Sequence, residues 1–411
     1  MQLPALPVLL VFSHLRWGQA QDRPQQLMSA LAGRWHVVFV EAPRFVDGPA
    51  LLETRALSTT LTVLTPHTPV AAAGFHDDQL GPVEGLLRDH LAACGLKIDV
   101  AWLCTPMALP LAQALEADCL VYDCVDGPVA SGDDPALLQQ REAALFQLAA
   151  LVLASGPSLF DAHRHRHTNM HCVRSAVDAA HFSPASLALG SPLARRAHAL
   201  QSGLARPRLG FFGVIDERVD LALIDALAER QPGWAFIMAG PVVGLDADSL
   251  PQRANIHWLG AQEHDVLPYL LAGWDLALMP YVVNESTRCL APTQALQYMA
   301  GYQPIVSTPI RDVQMLYTPA VTVAPPQPEA FARACEEVLD ENARARSARL
   351  IEMARVVARH AWVDTADIVH GLLNEALVGV REAQLDDEVF AVEATALGFE
   401  APAVERLAAH A

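Results

Sequence analysis

The chain has 411 residues, of which 52% are apolar and 18% charged, with a formal net charge of −18. Two domains of about 150–200 residues are expected at this length, and the apolar share excludes a disordered chain. The acidic balance excludes a general nucleic-acid binder, and because Lys97 is the one lysine, an anionic ligand must rely on arginine and backbone amides.

Seven cysteines, an odd number with no CxxC pair, lie mostly in apolar runs and read as reduced thiols of a cytosolic core. The N-terminal MQLPALPVLLVFSH has no basic leader region, and no stretch reaches the ~18 apolar residues of a membrane span. A cytoplasmic protein is expected, with at most peripheral contact to the inner face of a membrane.

In chain order, the short apolar runs Val8–Phe12, Val37–Val40, Leu61–Leu64, Val100–Leu103, Leu120–Tyr122 and Val152–Ala154 predict buried parallel strands. Helical patterns at Gln25–Leu31, Val83–Ala92, Ala108–Leu115 and Pro135–Ala149 alternate with them. This rhythm is that of a doubly wound sheet, and it predicts a first domain over residues 1–185. The Ala-, Ser- and Leu-rich stretch 186–206 is predicted as a linker. A second strand–helix series, Leu209–Phe212, Trp234–Ala239, Ile256–Leu259, Leu276–Met279, Ile305–Ser307 and Val321–Val323, predicts a second domain over 207–360. Residues 361–411 are predicted as a helical extension packing back on the first domain. Two such domains place their strand carboxyl ends across a shared cleft, where ligands of these sheets bind.

The segment Cys289–Ile310, CLAPTQALQYMAGYQPIVSTPI, predicts a Pro-Thr turn, a short helix, a Gly stop and a buried strand. A helix N-terminus at a loop mouth suits an anionic ligand. Gly213 permits close backbone approach, and Arg218 can offer a cation to a diphosphate; the alternative is that Asp216, Glu217 and Arg218 only cap a solvated helix start. Asn284, Glu285, Thr287 and Arg288 form a polar loop after a strand, placed either to bond sugar or phosphate oxygens or as ordinary surface. Asp123 and Asp126 follow a buried strand; each suits either a proton-accepting or acceptor-orienting carboxylate or a helix cap. Ser13, His14, Arg16 and Trp17 occupy the first strand-to-helix loop. The run AHRHRHTNMH places His163 and His167 one helical turn apart, but no carboxylate or cysteine completes a site, and no metal is expected.

FSHLRW at Phe12–Trp17 with Arg23-Pro24-Gln25, VYDCVD at Val121–Asp126, and SAVDAAHFSPA at Ser175–Ala185 resemble the acceptor half of GT-B glycosyltransferases of family 4 (glycosyltransferase group 1) type. FFGVIDERVDL, AGPVVGLD, NIHWLG and LMPYVVNESTRCLAPTQALQYMAGYQPIVSTP, starting at Phe211, Ala239, Asn255 and Leu278, resemble the donor half. The matching order runs over roughly residues 8–325 and is similar to a bacterial subgroup associated with UDP-galactopyranose mutase. The resemblance implies an α/β GT-B fold of two Rossmann-like domains. It implies a retaining, metal-independent transferase that needs no cofactor and moves a sugar from a nucleotide-sugar, UDP- or GDP-linked, to a saccharide or lipid-linked hydroxyl acceptor in surface polysaccharide or glycolipid synthesis.

The same resemblance assigns donor binding to Gly213, Arg218, Asn284, Glu285, Thr287, Arg288, Thr293, Gln294 and Gln297. It assigns catalysis to His14 and Asp126, and acceptor contacts to Ser13, Arg16, Trp17, Arg23 and Asp123. The family pattern has Lys and Glu where this chain has Gln294 and Gln297, and Gly244 stands where relatives often carry Lys. One charge-assisted hydrogen bond contributes roughly 1.5–3 kcal/mol, so a weakened homologue that acts as a binding or scaffold partner is the alternative expectation.

Overall fold

The computed structural model describes residues 6–18, 23–125 and 134–396, with side chains to residue 385. Its first domain is built on a mostly parallel sheet. The strand order is Arg44–Phe45, Leu61–Thr68, His36–Glu41, Val8–Ser13, Val100–Leu103, Cys119–Cys124, Leu151–Ala154 and Met170–Cys172. Leu51–Ala56 adds an antiparallel hairpin arm to Leu61–Thr68. Val8–Ser13 is buried at all six positions, as a strand covered on both faces must be. The chain winds outward from this strand, then returns to its other side at Val100–Leu103, so the sheet reverses direction beside Ser13.

The second domain repeats the plan with six parallel strands. Their order is Ile256–Gly260, Ala235–Ala239, Arg208–Phe212, Leu276–Met279, Ile305–Ser307 and Thr322–Val323. Here the reversal falls between Arg208–Phe212 and Leu276–Met279, which puts Gly213 at the switch point.

The stretch predicted as a linker differs. Pro192–Gln201 is a helix capped by Ser191, whose hydroxyl accepts from the Ala194 N–H. Its Ala197 joins the second domain's core, and the Gln201 amide donates to the Leu270 carbonyl. The alternation of Ala and Leu with Arg and His hid an amphipathic face that becomes apolar only against Leu267–Leu271. The chain actually crosses near Val177 and returns near Ala361, and these two crossings are paired by the Val177 N–H on the His360 carbonyl at 2.9 Å.

From Trp362 a helix runs to Ala396 along the first domain. Ala366, Val369, Leu373, Ala376 and Leu377 share a core with Leu27, Trp35 and Val37, and the Trp35 indole donates to His370 at 3.0 Å. Residues 397–411 lie outside the described residues. No described helix is long and apolar enough to cross a membrane.

Candidate functional site: the interdomain cleft

The first-domain wall is the loop after Val8–Ser13. Ser13 is fully buried, and its hydroxyl accepts from the Leu15 N–H at 3.1 Å, so it shapes the turn rather than facing a ligand. Glu41, the last residue of the adjacent strand, anchors the remainder of this loop. It accepts from the Trp17 N–H at 2.8 Å, the Thr65 hydroxyl at 2.9 Å and the Arg16 guanidinium at 3.4 Å. Sequence reasoning missed Glu41; a carboxylate closing the buried run VVFVE was the available signal. The Trp17 ring meets Phe39 edge-on at 4.9 Å and packs on the domain core, so it is not an open sugar platform. His14 remains partly exposed, and burial lowers its pKa, which favours the neutral imidazole.

Asp123, read as a carboxylate facing the cleft, is instead wholly buried in an ion pair with Arg23 at 3.2 Å. Arg23 also donates to the Val173 carbonyl at 2.7 Å. Burial forces this pairing, because an isolated charge at either position would be strongly destabilising. Asp126 lies outside the described residues.

In the second domain, Gly213 and Gly240 end adjacent strands and pass backbone to backbone. A Cβ on Gly240 would fall 1.7 Å from the Gly213 carbonyl oxygen, and both residues have φ near +150° (148° and 155°), a region closed to other residues. A Cβ on Gly213 would fall 2.7 Å from the Gln294 amide nitrogen. Gln294 therefore lies directly over this bare strand end. The buried Tyr298 hydroxyl, 3.0 Å from the Phe212 N–H, fixes the last residue of the strand. Gly240, which the sequence reading did not select, thus makes room for the Gly213 carbonyl and shapes this strand end.

Arg218 is gripped by Asp216 through two nitrogens, at 3.0 Å (Nε) and 2.6 Å (Nη2). Asn284 caps the turn Glu285–Thr287, whose Thr287 hydroxyl bonds back to the Val282 carbonyl, so these two residues hold the loop's shape. Glu285 and Arg288 project to solvent and pair with each other at 3.2 Å. Helix Gln294–Ala300 starts after Thr293 without a side-chain cap. Thr293 and Gln297 face Arg23, Asp178 and Phe182 across a narrow crevice at the chain crossings, with His264 beside them. All four arginines selected from the sequence, Arg16, Arg23, Arg218 and Arg288, thus have a carboxylate partner within 3.4 Å.

His163 and His167 do not converge on a metal. The His167 Nε2 lies 2.8 Å from the Ala149 carbonyl, and its Nδ1 accepts from the Asn169 N–H. Among the described residues no group of three or more His, Cys, Asp or Glu is placed to hold one.

Two doubly wound domains with switch points facing one cleft define the GT-B architecture. Sucrose-phosphate synthase from Thermosynechococcus elongatus superposes with a TM-score of 0.66 at 15% identity, over 94% of this chain and 100% of that one. Anabaena HepE, solved in complex with UDP and glucose, gives 0.65 at 16% identity, over 90% and 100%. Residues 206–341 match the family described as glycosyl transferases group 1. The putative teichuronic acid biosynthesis glycosyltransferase TuaH of Bacillus subtilis is 28% identical over 156 residues, which span 37% of this chain and 38% of that protein.

Proposed function

We propose that the chain transfers a sugar from a nucleotide-sugar, UDP- or GDP-linked, to a hydroxyl of a saccharide or lipid-linked acceptor. The reading adds retention of anomeric configuration, no metal requirement, and a role in surface polysaccharide or glycolipid synthesis. One observation supports it: at the switch point the Gln294 amide lies directly over Gly213, where a Cβ would fall 2.7 Å from its nitrogen, so that amide and the backbone of the following loop stand together at the strand end, where a diphosphate would bind.

In this reading the backbone around Gly213 and the Gln294 amide hold the diphosphate, and Gln297 hydrogen-bonds the ribose. Breaking the anomeric carbon–phosphate oxygen bond builds charge on the departing diphosphate, while the acceptor hydroxyl oxygen bonds the anomeric carbon and its proton passes to the departing diphosphate oxygen. Arg218 meets that charge by exchanging a carboxylate oxygen of Asp216 for a phosphate oxygen. Neutral His14 accepts a hydrogen bond from a hydroxyl of the sugars in the cleft. Closure of the cleft excludes water.

Calorimetric titration with UDP and GDP tests it. Saturable binding by one of them, lost in Gly213→Ala, is expected. Absence of binding by both at millimolar concentration overturns it in favour of a scaffold role, which the carboxylate pairing of all four arginines would then explain.

A further inference from the structure

A cavity of about 860 Å³ lies at the amino-terminal ends of the second domain's strands, the end opposite Gly213. Pro207, Trp234, Asp275 and Pro304, each immediately preceding a strand, form one wall. The facing wall comes from helices Pro328–Leu339 and Ala343–Val357 and the turn between them. Several charges lining this space are already paired. Arg206 pairs with Asp275, Arg349 pairs with Glu341 and lies 3.0 Å from the Thr322 hydroxyl, and Glu336 accepts from Gln231 at 2.6 Å.

Four other lining side chains are different. Tyr302, Gln303, Asp340 and Arg346 make no side-chain hydrogen bond or ion pair among the described residues. Tyr302 is also held in the left-handed region at φ 60°, one residue past the Gly301 helix cap, where Gly or Asn is the usual occupant. Its N–H bonds the Met299 carbonyl at 3.0 Å, and the residue stays 49% exposed. An aromatic ring thus stands at the cavity, beside an amide, a carboxylate and a guanidinium that have no side-chain partner among the described residues.

The lining chemistry selects a ligand class. Three arginines (Arg206, Arg346, Arg349) face four carboxylates (Asp275, Glu336, Asp340, Glu341), so no positive field favours a phosphate or an acidic polymer. The unpaired polar groups would be desolvated by a lipid chain without compensation. A sugar satisfies both halves: its C–H face covers the tyrosine ring, and its hydroxyls donate to the carboxylate and accept from the amide and guanidinium. We propose that this cavity is a second saccharide-binding site, which holds a neutral oligosaccharide of about two or three sugar units through Tyr302, Gln303, Asp340 and Arg346. The site lies outside the transfer reaction proposed for the cleft and does not depend on it.

Saturation-transfer NMR titration of the full chain with maltotriose and cellotriose, covering α and β linkages, tests the assignment. Tyr302→Gly removes the ring while suiting the positive φ, so the turn is retained; Tyr302→Phe keeps the ring. Saturable binding with a Kd below about 10 mM is expected, weakened at least about tenfold by Tyr302→Gly and Arg346→Ala but within about twofold in Tyr302→Phe. UDP and GDP titrations should be the same in all variants, which separates this site from the cleft. Absence of saturable binding by both trisaccharides, or binding that Tyr302→Gly and Arg346→Ala leave unchanged, overturns the proposal.

Discussion

The Asp312 carboxylate, in the second domain, accepts a hydrogen bond at 3.0 Å from the backbone N–H of Ser158, in the first. It also accepts from the Ser158 hydroxyl. Gly156, the N-cap of helix Pro157–His163, has no side chain to cap it, so a residue from the other domain supplies the missing acceptor. A Cβ on Gly156 would lie 2.3 Å from the same carboxylate, and Arg311 pairs with Asp161 at 2.8 Å alongside.

This contact predicts a domain-specific effect. Asp312→Ala should destabilise the chain by about 1–2 kcal/mol, read by urea denaturation. It should also widen the domain arrangement, read as an increased radius of gyration in solution scattering. Asp312→Asn keeps the acceptor oxygen and should do neither, because burial already raises the Asp312 pKa and penalises its charge. Equal effects from both substitutions would show that charge, not capping, holds the contact.

The Arg23–Asp123 pair predicts non-additivity. Removing one partner leaves a buried charge, so Arg23→Met or Asp123→Leu alone should cost about 3–5 kcal/mol. The double substitution should cost distinctly less than the sum of the two. A double-mutant cycle from denaturation midpoints checks this; strict additivity would contradict the pairing.

At the cleft, Gly213→Ala places a methyl 2.7 Å from the Gln294 amide and imposes φ 148° on a residue with a Cβ. Nucleoside diphosphate affinity should fall at least about tenfold. Adding Gln294→Ala relieves the clash but not the backbone strain, so affinity should recover in part only. Full recovery would mean that the backbone conformation is not required.

The stacked pair His181–His264, with ring centroids 4.3 Å apart, predicts a pH response. Burial, and then the His181 charge, lower the His264 pKa from 6.5 to about 4, with Asp265 and Asp178 opposing them. Because the folded value lies below the unfolded one, the contribution to stability is present above about pH 6.5 and lost as pH falls toward 4. The loss should reach about 2 kcal/mol after allowance for solvent screening, and His264→Phe should flatten the stability profile over that window. An unchanged profile in the variant would assign the response to other histidines.

Much of the strand and helix order was legible because buried parallel strands leave short, continuous apolar runs, as in Val100–Leu103 and Leu276–Met279. The hairpin arm Leu51–Ala56 was not legible, since it is exposed along nearly its whole length and carries no burial pattern. Gly213 and Gln294 were selected from the sequence, and the structure brings them together, although their charge environment was not legible. Arg218 reads as a free cation until Asp216, two positions away, is seen to grip it, and Asp123 reads as an open carboxylate until Arg23 arrives from a hundred residues upstream.

Sequence by itself determined the two-domain parallel architecture, the bare glycine at the strand end and the scarcity of lysine, because periodicity and residue type are local properties. Tertiary structure alone decided which charges are free. Ion pairing and burial depend on residues brought together from distant parts of the chain, and a linear reading holds no distance between them.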